Sequence, residues 1–160
     1  MATFSSTTKN TAIVPASRTA VWKALTDPDL LPDLTPLLHS IEVVGDQNGD
    51  PLWQWQMSGI DVLGVKVSPC FTERMRLTPE ERINYHHAPP PGADERAGVE
   101  GWYTLADHEE GVELGISLTI SIRLPLPRVS APAVTRVMDG VMARTGDRFS
   151  ANLLRHLGVD

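Results

Sequence analysis

Acidic, phenolic and imidazole side chains in the middle of the chain could carry proton-transfer chemistry. The candidate catalytic residues are Glu73, Tyr85, His87 and Tyr103. Glu73 follows the same alternation as Phe71 and Met75, so a regular strand would turn its carboxyl group toward the apolar side. Removing a carboxyl group from water raises its pKa and suits it to exchange protons near neutral pH. With a phenol or an imidazole within reach, Glu73 could assist enolisation or dehydration.

Pro69 supports a different orientation of Glu73. Proline cannot donate a hydrogen bond to a neighbouring strand and often marks a sheet edge or a bulge. An extra residue at a bulge would reverse the alternation after Pro69 and turn Glu73 toward water. The proline favours this second interpretation, and the acid–base hypothesis stays open beside it.

Apolar residues on the predicted inner faces would surround these candidates. The predicted cavity lining is Trp53, Trp55, Met57, Phe71, Tyr85, His87, Tyr103, Ile116, Leu118, Met138, Val141 and Met142. Aromatic and methionine walls with a few polar tips suit a mostly apolar ligand. Ordinary core packing is the alternative, and it is favoured for any single residue of this set.

The other reactive residue types have ordinary structural explanations. His86 and His87 are neighbours, so on a strand they point to opposite faces and cannot share one metal ion. Cys70 is the only cysteine and lacks a nearby thiol partner. The chain contains no Ser/His/Asp signature, phosphate loop or dinucleotide fingerprint. We therefore predict no metal site and no cofactor.

Two elements of the C-terminal half would position these residues. Apolar and polar residues alternate without a break over 112–123, which predicts a strand with one buried face. Apolar residues at spacings of three and four over 131–157 predict a long amphipathic helix with Ser130 as its cap. Gly140 and Gly146 lie inside this helix, where they allow either close packing or movement of a lid.

The rest of the chain supplies more strands and two short helices. Ser17 is suited to cap the first short helix, and residues 29–34 form one or two further turns. Strands are predicted over 4–14, 38–44, 52–58, 65–77, 82–88, 99–106 and 112–123. The expected fold class is α+β. It has a seven-stranded, mostly antiparallel sheet, two short helices after strand 1, and a long C-terminal helix covering the sheet.

Length and composition exclude several functional classes. The 160 residues form a single predicted domain that is large enough to bury a core without disulfides. A net charge of −6 disfavours nucleic acid, since phosphate binding needs clustered Lys and Arg. No apolar stretch approaches the ~20 residues of a membrane span, and no export signal is visible. The expected protein is cytoplasmic, is not inserted in a membrane, and is compatible with a homodimer.

Two segments resemble the START-like, or SRPBCC, superfamily. Residues 14–22 read VPASRTAVW and are followed by Asp27, Pro28 and Leu31, while residues 36–46 read PLLHSIEVVGD. The second segment is similar to a strand of the polyketide cyclase-like and carbon monoxide dehydrogenase-related branches. The resemblance implies a helix-grip fold with a cavity between the sheet and the long helix, and it does not imply a particular reaction.

Three functional hypotheses follow from these observations. The first is binding or transport of a small hydrophobic molecule, such as a lipid, polyketide or aromatic metabolite, between sheet and helix. The second is a polyketide cyclase- or dehydratase-like enzyme that uses the acid–base candidates. The third is an assembly factor or interaction protein, which an exposed apolar patch near residues 124–129 would favour.

Overall fold

The computed structural model describes residues 1–159, which form one seven-stranded antiparallel sheet, a small hairpin and three α-helices. The strands are β1 (Ala2–Val14), β2 (Leu38–Gln47), β3 (Asp50–Met57), β4 (Ile60–Val62), β5 (Val65–Val67), β6 (Cys70–Thr78), β7 (Arg82–His87), β8 (Ala97–His108) and β9 (Gly111–Leu124). The helices are α1 (Arg18–Leu25), α2 (Leu31–Leu34) and α3 (Ala131–Leu157).

The large sheet has the order β1-β9-β8-β7-β6-β3-β2, which places the two N-terminal strands at opposite edges. β1 and β9 pair without a register shift, from Ala2 opposite Leu124 to Val14 opposite Val112. The alternation in β9 turns its even-numbered apolar residues to one face, here called the inner face. The predicted architecture is therefore confirmed, including the long C-terminal helix on the inner side.

The predicted continuous strand over 65–77 is wrong. Residues 60–67 form the separate β4–β5 hairpin, whose turn holds Leu63 and Gly64 at positive φ. Pro69 has no N–H for the ladder, although its carbonyl accepts a 2.8 Å hydrogen bond from the Met57 amide. The regular strand β6 therefore begins only at Cys70.

The helix boundaries follow from local sequence signals. Ser17 caps α1, and its hydroxyl accepts a 3.1 Å hydrogen bond from the Ala20 amide. α3 has the predicted range, Ala131–Leu157, and is capped by Gly158, which adopts the left-handed conformation. Ser130 is the N-cap residue of α3, as predicted, but its hydroxyl makes no capping bond and instead donates to the Pro127 carbonyl at 2.6 Å.

Helix α3 packs mainly along β1 rather than over the centre of the sheet. Ser6 of β1 donates to the Asp139 carboxylate, and Asn152 donates to the Leu34 carbonyl at 3.0 Å. This placement leaves Tyr103, Ile116 and Leu118 only half-buried on the inner face. None of the helices over residues 1–159 is both long and apolar enough to cross a membrane.

The glycines inside α3 do not serve close packing. A Cβ at Gly146 would meet no atom within 4 Å, and one at Gly140 would meet only the Arg144 guanidinium at 3.4 Å. We therefore expect Gly146→Ala to stabilise the protein by about 1 kcal/mol, because alanine loses less backbone entropy in a helix. Urea unfolding would measure the change, and a destabilised variant would show that α3 needs glycine there.

Candidate functional site

Glu73 lies on the inner face of β6 and is only 1% exposed. It shares this face with Phe71 and Met75, which are also buried. The interpretation that turned Glu73 toward water is therefore wrong. The irregularity at Pro69 ends before β6 begins, so the alternation within β6 is undisturbed.

The Glu73 carboxyl group has one hydrogen-bond partner and one bare oxygen. Its Oε1 accepts a 3.0 Å bond from the Val99 amide of β8, while the buried Oε2 has no partner among residues 1–159. The pKa of Glu73 is raised to about 9, mainly by burial; the Val99 bond opposes this rise, and the negative charges of Glu100 and Glu95 add to it. The group is therefore a neutral carboxylic acid at pH 7.

Aromatic rings surround Glu73 on the neighbouring strand β3. Trp53 is directly opposite Glu73, and Trp55 is opposite Phe71. The ring centroids of Trp53 and Trp55 are 6.1 Å apart, and those of Trp55 and Phe71 are 6.3 Å apart and stacked. The indole Nε1 of Trp55 is a second buried polar atom without a partner among residues 1–159. The site thus combines an apolar wall with two unused hydrogen-bonding atoms.

The two tyrosines differ in how their hydroxyl groups are used. Tyr85 donates a 3.1 Å hydrogen bond to the Ser117 carbonyl, so its proton is already engaged. Burial raises the pKa of Tyr85 well above its ordinary value, and Tyr103 and Glu73 add to this effect. The Tyr103 ring lies 5.6 Å from that of Tyr85, and burial raises the pKa of Tyr103 to about 12. Both phenols are therefore neutral near pH 7.

The prediction that His87 lines the interior is wrong. Its Nε2 lies 2.9 Å from Glu95 Oε1, and the ring covers Gly98 on the face opposite the buried Val99 side chain. Glu95 also accepts bonds from the Thr72 amide at 2.8 Å and the Thr72 hydroxyl at 2.7 Å. The ladder between β7 and β8 stops at Tyr85, so the strands separate and the imidazole can turn outward. There it borders a groove of about 360 Å³ on the outer face of the sheet.

Gly98 makes room for this imidazole. A Cβ at Gly98 would overlap the His87 ring, so we expect Gly98→Ala to destabilise the protein by about 1–3 kcal/mol. In a His87→Ala background the same substitution should have a smaller effect, because the obstructing ring is gone. A double-mutant cycle measured by urea unfolding would test this coupling, and additive effects would contradict it.

The other predicted lining residues divide into two groups. Four are fully buried in the core, namely Trp53, Phe71, Tyr85 and Met138. Seven are half-buried, namely Trp55, Met57, Tyr103, Ile116, Leu118, Val141 and Met142. The second group provides the apolar surface that a ligand between sheet and helix could reach, and its role in binding stays a prediction.

Two groups that shape the site lack a signal in the sequence. The Val99 amide reaches Glu73 only through the pairing of β6, β7 and β8. Glu95 lies in the connection between β7 and β8, and no spacing marks it as the partner of Thr72 and His87. Both contacts can be identified only from the folded structure.

An antiparallel sheet with a long C-terminal helix on its inner side is the helix-grip arrangement of START-like proteins. The sequence profile of one family in this class, described as "Polyketide cyclase / dehydrase and lipid transport", matches residues 3–154. The chain therefore belongs to that family. A comparison with curated proteins finds no match.

Solved structures share the fold at low sequence identity. The Zhui aromatase/cyclase from Streptomyces sp. R1128 is similar with a TM-score of 0.72 and 17% identity, over 96% of this chain and 94% of that one. A START superfamily protein from Mycobacterium smegmatis has a TM-score of 0.67 and 15% identity, over 95% and 97%. Ara h 8.0201 has a TM-score of 0.61 and 18% identity, over 98% and 99%. These likenesses support the fold.

Proposed function

We propose that this protein binds a small, mostly apolar molecule between the inner face of the sheet and α3. The half-buried apolar surface of Tyr103, Ile116 and Leu118 is the observation that carries the proposal. α3 packs along β1 and leaves this surface incompletely covered, so a ligand could complete the core there. The family description, which includes lipid transport, also supports this function.

The neutral state of the polar side chains further supports an apolar ligand. The raised pKa of Glu73 keeps its proton in place at pH 7, and the Tyr85 and Tyr103 phenols are neutral as well. When an apolar molecule covers uncharged polar groups, removing those groups from water costs much less free energy than it would if they were charged. A strongly charged ligand would find no fixed opposite charge in these three side chains.

Two variants on adjacent positions of β9 test the proposal. Leu118 faces inward and Thr119 faces outward, so Leu118→Arg and Thr119→Arg introduce the same side chain on opposite faces. We expect the uncharged fluorescent probe N-phenyl-1-naphthylamine to bind the native protein and the Thr119 variant, and to bind the Leu118 variant at least ~10-fold more weakly. Circular dichroism confirms that each variant folds. Equal binding to all three proteins, or no binding, would contradict the proposal.

A second candidate function is a cyclase- or dehydratase-like reaction on a poly-β-keto substrate. The buried, protonated carboxyl group of Glu73 favours it, because a neutral acid in an apolar site can donate a proton to a carbonyl oxygen. Of the other candidates, Tyr103 stays beside the site, whereas Tyr85 is bound to Ser117 and His87 lies outside. Product analysis with a poly-β-keto thioester would test it, and unchanged turnover in Glu73→Gln would remove Glu73 from the mechanism.

The interaction-protein hypothesis receives less support. Between residues 124 and 129, Leu124 is fully buried and Leu126 is half-buried, so Val129 alone is a strongly exposed large apolar residue at 85%. One exposed side chain is normal on a protein surface and does not define an interface.

A further inference from the structure

We propose that the ligand presents a neutral acceptor oxygen, such as a carbonyl oxygen, to a pair of donors formed by Glu73 and Trp55. This inference rests on the proposed binding function and specifies the polar group that the site recognises. It follows from the two buried side-chain atoms that have no hydrogen-bond partner over residues 1–159, which are Glu73 Oε2 and Trp55 Nε1.

The strand register places the two residues that carry these atoms in one region of the inner face. Trp53 is opposite Glu73 and Trp55 is opposite Phe71, so Trp55 and Glu73 are diagonal neighbours on adjacent strands. Diagonal side chains on one sheet face lie within reach of each other when they are long. One oxygen atom of a ligand could therefore meet both groups.

Both unpartnered atoms are donors. The Trp55 indole nitrogen can only donate. Glu73 Oε1 accepts the Val99 amide hydrogen, which leaves the carboxylic proton on Oε2. Burial of such groups without a partner is unfavourable, so a ligand that supplies an acceptor removes two penalties at once. A hydrocarbon of the same shape would leave both donors unsatisfied.

The charges around Glu73 favour a neutral acceptor over a charged one. Glu100 and Glu95 are the charged groups that act on Glu73, and both are acidic, so they oppose an anionic ligand. Tyr85 and Tyr103 on the same side are neutral, and the His87 imidazole is paired with Glu95 on the other face. An ammonium ligand would pair with ionised Glu73, but it would leave the Trp55 N–H without an acceptor.

Access to the two donors requires movement of their cover. Neither atom is exposed to solvent in this structure, so an entering ligand must displace some of the side chains that cover them. Such a displacement slows binding and does not change the preference for an acceptor.

Three ligands of nearly equal shape test the inference. Fluorene has no acceptor, 9-fluorenone adds a carbonyl oxygen, and 9-aminofluorene adds an ammonium group at pH 7. Competition against N-phenyl-1-naphthylamine gives their dissociation constants. We expect the native protein to bind fluorenone about tenfold or more tightly than fluorene, which corresponds to one net hydrogen bond.

Variants of the carboxyl group identify the donor. Glu73→Gln keeps an N–H donor and should retain the preference, whereas Glu73→Met removes one of the two donors and should reduce the preference. Glu109→Gln changes an exposed carboxyl group in the turn between β8 and β9 and is the matched control. Above pH 9 the preference of the native protein should fall as Glu73, with its pKa of about 9, ionises, while that of Glu73→Gln should persist. Trp55→Phe removes the other donor and should also lower the preference. This variant tests the inference even if a Glu73 variant fails to fold.

The outcomes separate this inference from the proposed function. If fluorene binds as tightly as fluorenone, or the preference survives Glu73→Met and Trp55→Phe, the donor pair is wrong while the binding function stands. If 9-aminofluorene binds most tightly of the three, the site recognises a cation and not a neutral acceptor. If neither the fluorescent probe nor any of the three ligands binds, the proposed function itself fails.

Discussion

Replacing Glu73 with glutamine is expected to make the protein more stable at neutral pH and to flatten its dependence on pH. The pKa of Glu73 is about 9 in the folded chain against an ordinary value of 4.5. Between these values the folded chain keeps a proton that the unfolded chain releases, so the free energy of unfolding falls as pH rises. The loss amounts to about 3 kcal/mol between pH 4 and pH 7. Glutamine has the same shape and no proton to lose.

Urea unfolding of both proteins from pH 4 to pH 8 would measure this effect. The two stabilities should be similar at pH 4 and should diverge above pH 5, with the glutamine variant the more stable. Glu109→Gln is the matched control, because Glu109 is an exposed carboxyl group in the turn between β8 and β9. Parallel curves for native protein and Glu73→Gln would show that Glu73 ionises normally in the fold.

Alanine at Gly101 is expected to destabilise the protein by more than about 3 kcal/mol or to prevent folding. A Cβ there would overlap the backbone oxygen of Ser117 on the neighbouring strand and approach the Tyr85 hydroxyl to 3.0 Å. Tyr85 bonds to that same oxygen, so the missing side chain of Gly101 is what allows the contact across β8. The added methyl group would push β8 away from the Ser117 backbone on β9. A backbone group cannot move aside as the end of a flexible side chain can.

Thermal and urea unfolding of Gly101→Ala, beside Gly146→Ala, would test this expectation. The second variant makes the same chemical change where the added methyl group meets open space, so the contrast isolates the overlap. Near-native stability of Gly101→Ala would mean that β8 and β9 can separate locally at little cost, and it would weaken the assignment of the Tyr85–Ser117 bond.

Local patterns predicted the fold because they are repeated and mutually consistent. The alternation of β9 places its apolar side chains on one face whatever the neighbouring strands are. The spacing in 131–157 predicts α3 with its observed range, and Ser17 marks the start of α1 through a hydrogen bond made within a few residues. The strand predicted over 65–77 was wrong because a single proline interrupts a pattern without showing where regular pairing resumes.

The candidate site depended more strongly on contacts between distant residues. Alternation alone allowed Glu73 to face either the core or water, and Pro69 favoured the wrong choice. His87 follows the same alternation as Tyr85, which predicts that both side chains face inward. However, β7 separates from β8 after Tyr85, and the imidazole turns to the outer face, where it contacts Glu95. Neither outcome has a signature in neighbouring residues.

The sequence by itself determined the order of strands and helices apart from the β4–β5 hairpin, the apolar inner face and the family, since these rest on periodicity and short motifs. Only the tertiary structure decided which polar groups face the interior and how they are paired. The Val99 amide takes one oxygen of Glu73 and leaves the other bare, although 26 residues separate the two along the chain. Burial then raises the pKa of the carboxyl group and keeps it protonated, because a charge removed from water is unfavourable without a partner.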